Sequence, residues 1–288
     1  MSEFEPVDLK AYIAEEVRRY KGISYPLKSS LLRRMLTGTV QTRKIHPNPN
    51  DEFCFPNIGP NYGIVTKYEH DILQARRNHT SPCFSEPLMI QKISPDGYML
   101  LNGHHRWGAA IRMKQDKVPV EIVNLTQGAD IQKALSRTKN HKRVTLDLDE
   151  VVLAPGQENV KKMHEQLRYG IPGLFHFLRE MQYDIWLYSS KYYSMDYLFH
   201  LFRRYRIRID GIVTGNVPHR PGIEDVRKKL DEVSAKYDLS VHIDTQSVLC
   251  INRADKTFRD FPLGGDPQTW SAEITDVIRT YEKESFSL

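Results

Sequence analysis

With 288 residues, 40 % hydrophobic and 27 % charged, the chain can fill two ordinary folded cores, which excludes a disordered or fibrous protein. No apolar run approaches the ~18 residues of a membrane span, and the opening Met-Ser-Glu-Phe-Glu-Pro lacks the charged-then-apolar order of a secretory signal. The expectation is a cytoplasmic protein with no membrane partner, and Cys54, Cys83 and Cys250, scattered without metal spacing, agree with reduced thiols there. The net charge of +5 is modest, but basic residues gather at Arg33-Arg34 with Arg43-Lys44 and along Arg203-Arg204-Tyr205-Arg206-Ile207-Arg208. Nucleic acid therefore stays open as a partner.

In chain order, Asp8–Tyr20 predicts an amphipathic helix with Leu9, Ile13 and Val17 on one face. A second helix near Leu31–Thr37 precedes turn-rich segments at residues 45–50 and 55–63. Residues 98–101, Tyr-Met-Leu-Leu, predict a short strand that turns at Asn102-Gly103 into a helix starting near His104. A helix start exposes unpaired N–H groups and the positive end of the helix dipole. His104, His105 and Arg106 occupy that first turn, where an arginine can grip phosphate oxygens in a fork. Ala109, Ala110 and Ile111 then pack the helix on its sheet, and Val118–Val123 supplies the next strand.

The stretch Asn102-Gly-His-His-Arg106 resembles the ParB/sulfiredoxin superfamily, whose members bind nucleotide phosphates at a Gly-x-x-Arg helix start. Within it the chain is most similar to the free serine kinase branch, which carries Asp-Gly-His-His-Arg and an upstream catalytic glutamate. That resemblance implies ATP or ADP, with CTP as the alternative, bound by Asn102, Gly103, His104, His105 and Arg106. It also implies that Glu69, in Thr66-Lys-Tyr-Glu-His-Asp71, deprotonates a substrate hydroxyl. The sequence departs from the superfamily twice. Sulfiredoxins place a nucleophilic cysteine where His104 stands, and the kinase branch places an aspartate where Asn102 stands.

The second half opens on Arg143-Val-Thr-Leu-Asp-Leu-Asp149. The apolar run Val144–Leu146 predicts a buried strand that delivers Asp147 and Asp149 at its tip, where one carboxylate can attack phosphorus and the other protonate the leaving oxygen. Gly170-Ile-Pro-Gly173 opens a helix that Tyr183-Asp184 is expected to end. A strand over Ile185–Tyr188 then runs into Ser189-Ser190. A helix over about Ile223–Tyr237 carries Lys228 and Lys229, and a third strand, Ser240–Ile243, ends in Asp244.

These motifs, in this order, resemble the haloacid-dehalogenase (HAD) phosphohydrolases. The resemblance implies Asp147 as nucleophile, Asp149 as proton donor, Ser189 or Ser190 on the transferring phosphate, and Lys228 or Lys229 neutralising its charge. It further implies Mg²⁺ held by Asp147, Asp149 (through its carbonyl) and Asp244. The family usually carries a second acid at or soon after the position of Asp244, whereas Thr245-Gln246-Ser247 follow here. The interval between the first two motifs is too short for a large cap.

The expected architecture is α/β in two domains. Residues 1–125 form a ParB/sulfiredoxin-like α+β domain with an N-terminal helical arm, 126–142 a linker helix, and 143–288 a Rossmann-like parallel-sheet HAD domain. The expected function is phosphoryl transfer on a hydroxyl- or phosphate-bearing substrate, combining a kinase-like nucleotide site with an Asp-based phosphatase. Two alternatives stay open: a nucleotide-regulated, partition-like nucleic-acid-binding factor on a degenerate HAD scaffold, and a phosphatase of nucleic-acid ends.

Overall fold

The computed structural model describes residues 7–23, 25–153, 167–193, 195–218, 220 and 222–286. The chain divides into two compact units, residues 1–125 with 217–223, and residues 126–216 with 224–288. Among the described residues no helix is long and apolar enough to cross a membrane.

In the first unit, α1 (Leu9–Tyr20) starts at Asp8, whose carboxylate accepts hydrogen bonds from the Lys10 and Ala11 amides. Leu9 and Ile13 on its inner face are buried in the core. The remaining helices are α2 (Leu31–Leu36), α3 (Tyr62–Arg77) and α4 (His104–Arg112). The strands are β1 (Tyr25–Pro26), β2 (Thr39–Gln41), β3 (Ile45–His46), β4 (Leu88–Ser94), β5 (Tyr98–Asn102) and β6 (Lys117–Ile122). They form one mixed sheet in the order β2-β6-β4-β5-β3, with β1 paired to β4. Trp107 anchors α4 on that sheet: it is fully buried and its indole N–H donates to the Ile45 carbonyl at 3.0 Å.

The second unit is built on β7 (Lys142–Asp147), β8 (Tyr183–Tyr188), β9 (Gly211–Val213), β10 (Leu239–Ile243), β11 (Ser247–Asn252) and β12 (Thr257–Pro262). Its helices are α5 (Gly128–Leu135), α6 (Ile171–Glu180), α7 (Met195–Arg204), α8 (Ile223–Lys236) and α9 (Trp270–Phe286). The strand order is β12-β11-β10-β7-β8-β9, with β10, β7, β8 and β9 mutually parallel. Val144, Leu146, Ile185, Leu187 and Val241 from the parallel strands are buried together with Leu174, Phe175, Ile274 and Ile278 from the helices. Strands covered on both faces read as continuous apolar runs, which is why the sequence marks them.

Three expectations need correction. The sheet is not purely parallel: the chain reverses after Asp244, whose amide donates to the Ser247 carbonyl, and β11 and β12 pair antiparallel at the edge. Tyr183 and Asp184 do not end α6 but begin β8, because α6 closes at Glu180 and both side chains are buried. The helix expected over 126–142 is only Gly128–Leu135; beyond it Thr138 and Asn140 bond the buried Asp184 carboxylate, and Lys142 is drawn into β7. Much of the interval expected to hold no cap, residues 154–166, lies outside the described residues.

Candidate functional site

The start of α4 is set by Gly103, which caps it in the left-handed region at φ 96° without any side-chain hydrogen bond. Only glycine fits there: a Cβ would come within 3.1 Å of Arg106 Nε and 3.2 Å of Leu88 Cγ, on a backbone that L-residues avoid. The first amides of α4 thus keep their donors unpaired by any capping side chain, at the positive end of the helix dipole.

Those amides border a cleft of about 610 Å³ whose lining includes Asp51, Asn61, Tyr68, Asn102, His104 and Arg106. Arg106 is buried, and its Nη1 is held at 3.0 Å by both the carbonyl and the carboxylate of Glu86. The Glu86 side chain is 78 % exposed. An ion pair with so exposed a partner is worth only about 0–1 kcal/mol, so an incoming anion can replace it.

Both histidines are held neutral. Burial pushes the His104 imidazole down to about 4, against the opposing pull of Asp51, whose carboxylate lies 3.6 Å from Nδ1, and with a smaller push from His105. Burial also lowers His105, whose Nε2 accepts the Asn61 amide at 3.2 Å. His104 Nε2 is buried with no hydrogen-bond partner among the described residues. A buried ring nitrogen left without a partner is costly and unusual in a folded core.

The pH consequence has a definite sign. Between about 6.5 and about 4 the unfolded chain protonates His104 and the folded chain does not, so stability falls as the pH drops through that window. The full effect is up to about 3 kcal/mol, at ~1.4 kcal/mol for each tenfold change in proton affinity. Denaturant unfolding at pH 7 and pH 5 should show about 2 kcal/mol of this loss, and His104→Gln should remove most of it. An identical pH dependence in the variant would refute the assignment.

Glu69 is placed differently from the expected base. It pairs with Arg112 Nη1 at 3.0 Å, both side chains largely buried, and it does not line the cleft, although its neighbour Tyr68 does. Asn61, Asp51 and Phe53 are the contributors that the sequence reading missed. Asn61 carried a signal, since it caps α3 by accepting from the Gly63 and Ile64 amides.

In the second unit, Asp147 ends β7 and Ser189 follows β8, so both stand at the C-terminal ends of neighbouring parallel strands. This is where open α/β sheets place their chemistry. Asp147 Oδ1 accepts from the Asp149 and Glu150 amides at 2.7 and 2.8 Å, which fixes the turn. Ser189 Oγ donates to Asp149 Oδ2 at 2.6 Å and Tyr193 to Oδ1 at 2.5 Å, with Lys191 Nζ 3.7 Å from Oδ1. Lys191 and Tyr193 were not anticipated, though both lie within four residues of Ser189.

Of the other expected members, the two lysines lie on α8, while Ser190 and Asp244 adjoin the strand ends. Lys228 is exposed on α8, and Lys229 pairs with Glu232 on the same helix at 2.7 Å. Ser190 is exposed, beside Ser189. Asp244 lies at the end of β10, the other parallel neighbour of β7, with its carboxylate turned onto Thr245. Among the described residues no three His, Cys, Asp or Glu side chains form a metal-holding group. The expected Mg²⁺ set counts only two such side chains, Asp147 and Asp244, together with the Asp149 carbonyl, and Asp147 and Asp244 stand at the ends of adjacent parallel strands.

No significant match to the chain was found among curated proteins or solved structures. One segment does match a family model. Residues 82–138, which run from before β4 through the Gly-His-His-Arg turn to the end of α5, match the ParB N-terminal domain, and this part of the chain is compatible with nucleotide or nucleic-acid binding.

Proposed function

We propose that the first unit binds the phosphates of a nucleotide at the start of α4. The supporting observation is a coincidence of three features: the glycine-capped helix start, the buried Arg106 in its first turn, and the cleft of about 610 Å³ in front of both. Phosphate oxygens would accept from the α4 amides and take the place of the Glu86 carboxylate on Arg106, a charge-assisted exchange at a helix N-terminus. His104 and His105 would add neutral donors or acceptors without adding charge. The engagement of Glu69 by Arg112 favours binding over phosphoryl transfer at this site, and with it a nucleotide-controlled role.

A second reading concerns the second unit and rests on Asp147 and Ser189 at adjacent strand ends. There Asp147 would attack the phosphorus of a phosphate monoester and form an aspartyl phosphate. The alkoxide leaving group would take its proton from Asp149, which would recover one from the water that then attacks phosphorus, breaks the bond to Asp147 and releases inorganic phosphate. Ser189, with Lys191 beside it, would steady the phosphoryl oxygens.

A thermal-shift screen of the full chain against nucleosides and their mono-, di- and triphosphates tests the first reading. Di- and triphosphates should raise the melting temperature in proportion to the logarithm of their concentration, and nucleosides should not. Equal effects from nucleoside and nucleotide would place recognition in the base and overturn the phosphate reading.

A further inference from the structure

Among the described residues of the second unit, one buried cation has no counter-ion. Arg143, near the start of β7, is 7 % exposed. Its Nε donates to Ser240 Oγ at 2.8 Å and its Nη2 to Ser234 Oγ at 3.2 Å, and the guanidinium lies 5.6 Å from the centre of the Tyr237 ring. All three partners are uncharged. A guanidinium does not shed its proton in a protein, and an unpaired buried ion is among the costliest groups a fold can carry. Burial, chiefly, and the nearby Arg253 weaken its hold on the proton, while Tyr188 and Tyr237 act the other way.

Arg143 borders a cavity of about 320 Å³ lined also by Asp231, Ser234, Ser240, His242 and Arg253. Arg253 Nη1 donates to the Ser234 carbonyl at 2.6 Å, so the two arginines converge on one residue of α8. His242 contacts Thr145 Oγ1 through Nδ1, and burial together with Arg143 keeps it below its ordinary range, so it adds no charge. The register pairs Arg143 with Ser240 and Thr145 with His242. Arg143 stands four residues before Asp147 on β7, roughly 13 Å along the strand. The cavity is thus separate from the strand tips.

We propose that this cavity binds a small phosphate, free or as the monoester of a hydroxyl-bearing compound. Arg143 offers its remaining guanidinium N–H groups from inside the fold, Arg253 closes from the rim, and the Ser234 and Ser240 hydroxyls, held by Arg143, turn their protons to the ligand. Asp231 is the one carboxylate in the lining; two guanidinium groups outweigh it, and it gives an ester's hydroxyl an acceptor. The ligand supplies the counter-charge that the fold leaves out.

The test is calorimetric titration of the full-length Arg106→Ala protein, which removes the α4 contact, with inorganic phosphate and with glycerol 3-phosphate at fixed ionic strength. Adding Arg253→Ala should weaken binding roughly tenfold, as expected for one charge-assisted contact. Adding Arg143→Met should abolish that component and leave the unfolding midpoint in phosphate-free buffer equal or higher, since it deletes an unpaired buried charge. Tighter binding of glycerol 3-phosphate than of phosphate identifies a monoester, and the reverse identifies the free anion. Unchanged affinity in the Arg253→Ala protein, or absence of any heat up to about 10 mM phosphate, would overturn the proposal, and Arg253, being exposed, can be replaced without endangering the fold.

Discussion

Asp147→Asn should leave hydrolysis of a generic aryl phosphate at background while the fold stays intact. The two halves of that expectation have separate causes. Asp147 Oδ1 caps the turn after β7 by accepting two amides, and an asparagine oxygen accepts them equally well. An amide, however, cannot attack phosphorus. Loss of a covalent nucleophile costs on the order of a millionfold in kcat where it has been measured in a serine protease, enough to take turnover of this substrate below detection. Asp147→Ala should differ: it removes the cap as well and should cost about 1 kcal/mol of stability. The measurement is release of the chromogenic alcohol by wild type and both variants in buffers containing Mg²⁺ or Mn²⁺. A wild type without turnover, or an Asn variant with wild-type turnover, would eliminate hydrolysis at this site.

Arg106→Ala should lower affinity for a nucleoside triphosphate by about one to two decades. The figure follows from the ~1.5–3 kcal/mol of a hydrogen bond to a charged group, at ~1.4 kcal/mol per decade. Part of that energy is spent in displacing Glu86, so Glu86→Gln should move affinity the other way, by a few-fold. Opposite signs at Arg106 and Glu86 would be hard to obtain from a merely structural pair, because deleting either partner of such a pair harms the same contact. Glu69→Ala should leave nucleotide affinity nearly unchanged, since Glu69 faces Arg112 outside the cleft lining. Equilibrium titrations of the three variants decide this, and nucleotide binding by Arg106→Ala equal to wild type would defeat the phosphate reading.

The features legible in the sequence were those carried by local physics. Apolar runs of strand length located β7, β8 and β10, because covered parallel strands leave no polar alternation to confuse them. Asn102-Gly103 announced a strand-to-helix turn, because a glycine there needs no neighbour to explain it. Features that depend on distant partners were hidden. Nothing local says that Glu86 would hold Arg106, or that Arg112 would claim Glu69, because each pairing is made when β4 and α4, or α3 and α4, come together. The linker helix was overextended for the same reason: residues 136–142 have helical composition, yet Asp184 and β8 recruit them. The resemblance pointed to Lys228 or Lys229 on the later helix, but the lysine beside Asp149 comes from the loop after β8.

The amides of Gly103 to Trp107 are where phosphate binding is most directly visible. An amide-resolved NMR titration of the isotope-labelled full chain with a nucleoside triphosphate should shift the Gly103, His104, His105 and Arg106 amides together with the Trp107 indole. All should follow one saturating curve, and inorganic triphosphate should reproduce the shifts in part. Saturable nucleotide binding that leaves those resonances unmoved would contradict phosphate recognition at the start of α4.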